Sequence, residues 1–144
     1  MYDQFRLNEP WDSAHNKPLV EKMPKVFAAG DETLQSSGKT IFLAPTGGGM
    51  VFGGRVPVRL RDIRDGTSNT MMVLTVKPKF AVEWTKPEDW EFDENKPFEQ
   101  LTGTNGMGFQ FVCCDGAAHR SDKPMTVDVL KALLTIDGRE IVEF

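Results

Sequence analysis

Turn-forming residues constrain this chain before anything else does. Thirteen Gly and nine Pro punctuate 144 residues, so the fold is built from short elements joined by turns rather than from long helices. Between the turns, apolar periodicity assigns the elements. From Arg55 to Arg61, Val56, Val58 and Leu60 alternate with Arg55, Arg59 and Arg61. That predicts a half-buried strand, which Pro57 makes an edge strand or a poorly paired one. Thr70 to Val76 reads as a core strand, and Thr40 to Ala44, Phe80 to Trp84 and Gly108 to Cys113 as further strands. Phe109 and Phe111 share one face of the last of these. Glu140 to Phe144 reads as a final strand.

Helical spacing occurs twice. Leu19, Val20 and Met23 follow Ser13 or Asn16 as a cap, with Pro18 in the first turn and Pro24 as the stop. Val127, Leu130, Leu133 and Leu134 form a stripe behind a Thr126 cap. Residues 28–39, 45–49 and 62–69 read as loops or turns. Residues 86–106 read as a long loop holding Trp90, Phe92 and Phe98, either functional or pinned by its own aromatics. The expected class is α+β: an antiparallel sheet of about six strands with a short N-terminal and a C-terminal helix. One globular domain is expected over residues 1–144.

Charge and cysteine content narrow the function. A net charge of −4 argues against a phosphate-binding basic face, so no nucleic acid is expected as a partner. No apolar run approaches the roughly 18 to 20 residues that span a bilayer, so no membrane insertion is expected. The only cysteines, Cys113 and Cys114, are adjacent, and neighbours on a strand point to opposite faces. One thiol belongs in the core and one outside it, with no disulfide framework and no structural zinc site.

Four groups carry candidate chemistry. Pro45-Thr46-Gly47-Gly48-Gly49 lacks the Lys of a phosphate loop and reads as a hairpin turn. Asp12 and His15 are three residues apart and suit a base with its orienting carboxylate, while His119 is the only other histidine. No recognisable nucleophile motif accompanies them, which favours binding over catalysis. Asp62, Asp65, Ser68 and Asn69 offer oxygen ligands that a calcium ion would accept, without the spacing of an EF-hand loop. Trp84 and Trp90, with Glu88 and Asp89 between them, combine rings that stack on sugars with carboxylates that bind hydroxyls.

Several phrases together resemble one family. They are Phe5 to Asn16, Met23 to Phe27, Arg61 to Thr70, Ala81 to Asp93 and the end from Leu130 to Phe144. The family is a bacterial one, expanded in planctomycetes, that carries the prepilin-type processing-associated signature and is also labelled solute-binding-protein-like. The signature is a His, nine residues, then Asp-Gly. Here Asp115-Gly116 supplies the second part, and Asn105 stands at the His position. The resemblance implies a fold like the globular head of a pilin or pseudopilin, without the assembly helix.

It also implies a pilin-like envelope or extracellular domain that acts by assembly or binding, with self-association or envelope proteins as partners. A glycan or small-ligand module built on Trp84 and Trp90 is the alternative. A hydrolytic or metal-dependent enzyme centred on His15 or His119 is the third reading. No cofactor is expected, and calcium is the one ion that the loop chemistry admits. The expected compartment is the envelope or exterior if an anchor helix precedes Met1, and the cytoplasm if Met1 is the true start.

Overall fold

The computed structural model describes residues 1–54, 56–104 and 106–140. In chain order the regular elements are α1 (Glu32–Ser37), β1 (Lys39–Thr40), β2 (Phe42–Leu43), β3 (Pro45–Thr46), β4 (Met71–Thr75), β5 (Val82–Glu83), β6 (Trp90–Glu91), β7 (Gln110–Cys113), β8 (Ala118–Arg120) and α2 (Val127–Leu134). Short 3-10 segments lie between them. The class is α+β with antiparallel sheets and a C-terminal helix, as expected. No helix among the described residues is long and apolar enough to cross a membrane.

The chain divides into two compact units. The first joins Met1–Phe42 to Pro78–Glu88, and the second joins Leu43–Lys77 to Asp89–Phe144.

In the first unit, β1 pairs with β5 antiparallel, Lys39 opposite Glu83 and Thr40 opposite Val82. Met23, Ala28 and Leu34 form its buried cluster, with Ile41, Ala81 and Trp84 packed against it. The expected N-terminal helix is a 3-10 segment, Lys17–Lys22, with Pro18 in its first turn and Leu19 and Val20 buried. Asn16 occupies the cap position but makes no side-chain cap bond, because that side chain is engaged elsewhere.

Residues 28–39 are not only loop, since α1 lies within them. The Asp31 carboxylate accepts from the amides of Thr33 at 2.7 Å and Leu34 at 3.1 Å, which supplies the cap. Gly38 ends the helix at φ 61°, and a Cβ there would fall 2.6 Å from Val20 Cγ1. No residue with a side chain fits that stop.

In the second unit, the main sheet has the order β2-β4-β7-β8. β4 and β7 are antiparallel, with Met71 opposite Cys113 and Leu74 opposite Phe111, and a bulge falls between Met71 and Val73. β7 and β8 form a hairpin that sets Phe111 opposite His119. β3 and β6 make a separate parallel pair. Met71, Leu74, Val76, Phe109, Cys113, Leu130 and Leu133 are fully buried. Thr126 caps α2 by accepting from the Val129 amide at 3.3 Å, and Leu130, Leu133 and Leu134 of the predicted stripe are buried with Ala132, while Val127 is half-buried.

Two predicted strands come out differently. Thr40 to Ala44 is broken into two-residue pieces, with the Phe42 amide turned onto Thr40 Oγ1 at 3.1 Å. The alternating segment 56–61 contains no strand: Val56 is 76% and Leu60 is 67% exposed. Pro57 lacks the amide that a ladder needs, and Asp62 turns the chain by accepting from the Arg59 amide at 3.0 Å. Arg55, which opened that expected strand, and residues 141–144 of the expected last strand lie outside the described residues.

Candidate functional site

The site is assembled in the first unit from the segment Phe5 to Asn16. Asn16 is 2% exposed and clamps this segment to itself. Its Oδ1 accepts from the Arg6 amide at 2.9 Å, and its Nδ2 donates to the carbonyls of Arg6 at 3.0 Å and Pro10 at 2.9 Å. The Glu9 carboxylate is taken at both oxygens. Arg6 Nη1 donates to one at 3.0 Å and Ser13 Oγ to the other at 2.8 Å. The chain therefore curls through single backbone turns, the Glu9 amide on the Arg6 carbonyl and the Ser13 amide on the Pro10 carbonyl, and the Asn16 side chain ties those turns together.

Trp84 closes the other side. Its Nε1 donates to the Val20 carbonyl at 3.0 Å. Phe5 meets it edge-on at 5.8 Å and Phe27 stacks on it at 5.4 Å. Lys17 lies 4.4 Å above the Trp11 ring while bonding Glu83 at 2.6 Å. What remains is an open groove of about 490 Å³, walled by Tyr2, Phe5, Leu7, Trp11, Pro24 and Trp84, with Arg6 and Glu9 as charged groups. Tyr2 and Leu7 are each 70% exposed, an uncommon placement for large apolar side chains around a concavity.

Hydrogen bonds from Arg6 and then Ser13 hold the Glu9 carboxyl below its ordinary value of 4.5. A carboxyl with a lowered folded pKa stabilises its contacts fully above the unfolded value and loses them as pH falls through the folded one. Acid titration is therefore expected to shift the fluorescence of Trp11 and Trp84 with a midpoint below 4.5, and Glu9→Gln to abolish that transition. An unchanged titration in Glu9→Gln would remove Glu9 from the cause.

The residues singled out from sequence fall in both units. His15 is exposed, with Nε2 at 2.9 Å from the Gln4 carbonyl oxygen. Asp12 is exposed and makes no hydrogen bond or ion pair with His15. His119 lies in the second unit, stacked on Phe111 at 5.3 Å. Trp84 and Glu88 belong to the first unit, whereas Asp89 and Trp90 belong to the second. Glu88 pairs with Lys86, and Asp89 accepts from the Ala44 amide at 2.8 Å. Trp90 is 2% exposed with Phe92 against it, so it offers no ring face to a sugar.

Asp62 and Asp65 are occupied by backbone. Asp65 accepts from the amides of Gly138 at 2.8 Å and Arg139 at 2.6 Å, while Asn69 Nδ2 donates to the Asp65 carbonyl at 3.1 Å. Among the described residues, no three His, Cys, Asp or Glu side chains stand together as a metal-binding group.

Asp115-Gly116 is the tight turn of the β7–β8 hairpin, with Gly116 at φ 87°. The Ala117 amide, then the Ser68 hydroxyl, bond the Asp115 carboxylate and lower its pKa. Asn105, at the signature's His position, lies outside the described residues. Cys113 is buried and Cys114 half-buried, as strand alternation predicts. Burial first, and then the Asp115 charge, pushes the Cys113 thiol up to about 11, away from nucleophilic use.

Sequence reasoning did not single out Tyr2, Phe5, Leu7 or Trp11. The available signal was a cluster of large apolar residues in a segment with neither helical nor strand period. Comparison of the chain with protein-family models, with curated proteins and with solved structures finds no match.

Proposed function

We propose that this chain is a binding or assembly domain, of the pilin-like envelope type that its sequence phrases resemble, and that it engages its partner through the aromatic groove of its first unit. One observation carries the reading. Tyr2 and Leu7 stay 70% exposed beside a concave wall of Phe5, Trp11 and Trp84, and contiguous apolar surface around a concavity is what a binding site presents. The test uses ANS, a dye that brightens on apolar surface, together with light scattering. The wild type is expected to bind the dye, and Tyr2→Ser with Leu7→Ser to lose most of that binding at an unchanged urea midpoint. Equal dye binding by both proteins, with both monomeric at every concentration, would sink the reading.

A further inference from the structure

We propose that this chain pairs with a second copy of itself, head to tail, by adding residues 56–59 of one copy as a strand to the open edge of β6 in the next. The contact lies wholly in the second unit and is independent of the aromatic groove. It starts from a disagreement between sequence and structure. Residues 56–61 carry the alternation of a half-buried strand, yet they pair with no strand, and Val56 and Leu60 are exposed.

The backbone of that segment is left for a partner. Arg59 is extended, at φ −95° and ψ 152°. The amides and carbonyls of Val56 and Val58 make no hydrogen bond among the described residues. In a paired strand, alternate residues direct their backbone groups to the same edge, so Val56 and Val58 serve one edge and Pro57 the other. The missing amide of Pro57 therefore leaves the Val56–Val58 edge whole.

The receiving edge is in β6. Trp90 turns its backbone to β3: its amide donates to the Ala44 carbonyl at 3.0 Å, and its carbonyl accepts from Thr46 Oγ1 at 3.2 Å. The backbone groups of Glu91, the next residue, face the opposite edge. There β6 has no neighbouring strand and Glu91 no hydrogen-bond partner among the described residues. An unpaired edge of this kind is a template for another chain. Charge selects a second copy as that chain. Residues 55–64 hold four Arg and one Asp, whereas residues 89–99 hold five Asp or Glu and one Lys. Arg59 and Glu91 are exposed, and neither is in an ion pair among the described residues. No hydrogen bond, ion pair or strand pairing among the described residues joins the two segments within one chain, so another copy supplies the complement of each. The two surfaces differ, so the contact is heterologous and repeats from copy to copy.

Light scattering and sedimentation of the full chain follow mass against concentration. Association is expected to rise with concentration and to fall with added salt. Arg59→Glu with Arg61→Glu spoils the strand, and Glu91→Arg spoils the edge. Each variant is expected to raise the dissociation constant by about tenfold, with circular dichroism verifying its fold. An equimolar mixture of the two is expected to regain association, because the intact strand of one meets the intact edge of the other. Hydrogen exchange is expected to slow at the amides of Val58 and Glu91 as concentration rises.

Tyr2→Ser with Leu7→Ser, which spoils the groove, is expected to associate as the wild type does. A wild type that stays monomeric at every concentration overturns the pairing, including one that binds polyglutamate, where a different acidic partner takes the place of the second copy. Association unchanged in both charge variants overturns it as well. So does a mixture of those variants that stays monomeric.

Discussion

Asn16→Leu is expected to lower stability by about 1 to 3 kcal/mol, at a position that sequence marks only as a helix cap. Leucine keeps the branching and the number of side-chain heavy atoms but is apolar and bulkier, so the substitution removes the hydrogen bonds and adds some overpacking. The Arg6 amide loses its partner, while the Arg6 and Pro10 carbonyls each lose one of two donors and keep the amides of Glu9 and Ser13. Each buried group left unpaired costs about 1 to 3 kcal/mol, and water reaching the partly exposed Arg6 backbone offsets some of that. Asn16→Asp keeps the acceptor for the Arg6 amide but sets a buried carboxylate oxygen against the Arg6 and Pro10 carbonyls, so it costs at least as much as Asn16→Leu at neutral pH. Urea unfolding at constant slope measures the change. The same substitution lets Phe5 and Arg6 leave the groove wall, so ANS binding drops with stability. A loss below about 0.5 kcal/mol would mean that the clamp is ornamental, as for an ordinary surface site.

The contrast between Asn16 and the C-terminal helix shows where the sequence is legible. In α2 the cap, the apolar stripe and the following turn all point the same way, and Thr126 and Leu130, Leu133 and Leu134 are where spacing puts them. β4 and β7 are readable because their apolar residues are buried by neighbours on both sides in the sheet. The groove is unreadable because nothing local sets it. Asn16 reaches back ten residues to Arg6, and Trp84 crosses 64 positions to Val20. Such pairs leave no period in the sequence. Within the proposed glycan set Trp90 is buried, and Glu88 and Asp89 belong to different units, neither of which adjacency in sequence reveals. Asp31 could have been found, since an Asp followed by Glu-Thr-Leu is a cap pattern, but only Leu34 marks a buried face behind it.

Phe109→Ala is expected to cost about 3 to 5 kcal/mol, as deletions of buried aromatic rings do, whereas Leu60→Ala is expected to stay within about 0.5 kcal/mol of wild type. The two residues carry similar weight in sequence, since each belongs to an alternating apolar run near turn residues. Structure separates them. Phe109 is 0% exposed, its ring centroid lies 5.6 Å from that of Phe111, and its carbonyl accepts from the Ser121 amide at 3.0 Å. Leu60 is 67% exposed in a 3-10 turn and has little contact to lose. Phe109→Leu keeps most of the volume and is expected to cost less than about 1.5 kcal/mol, which separates cavity formation from loss of aromatic contact. Thermal and urea unfolding of the three variants decide the matter. A Leu60→Ala loss as large as that of Phe109→Ala would show that the run from Val56 to Leu60 buries its apolar face after all. The alternation would then have been a true strand signal, and Pro57 would not have prevented its pairing.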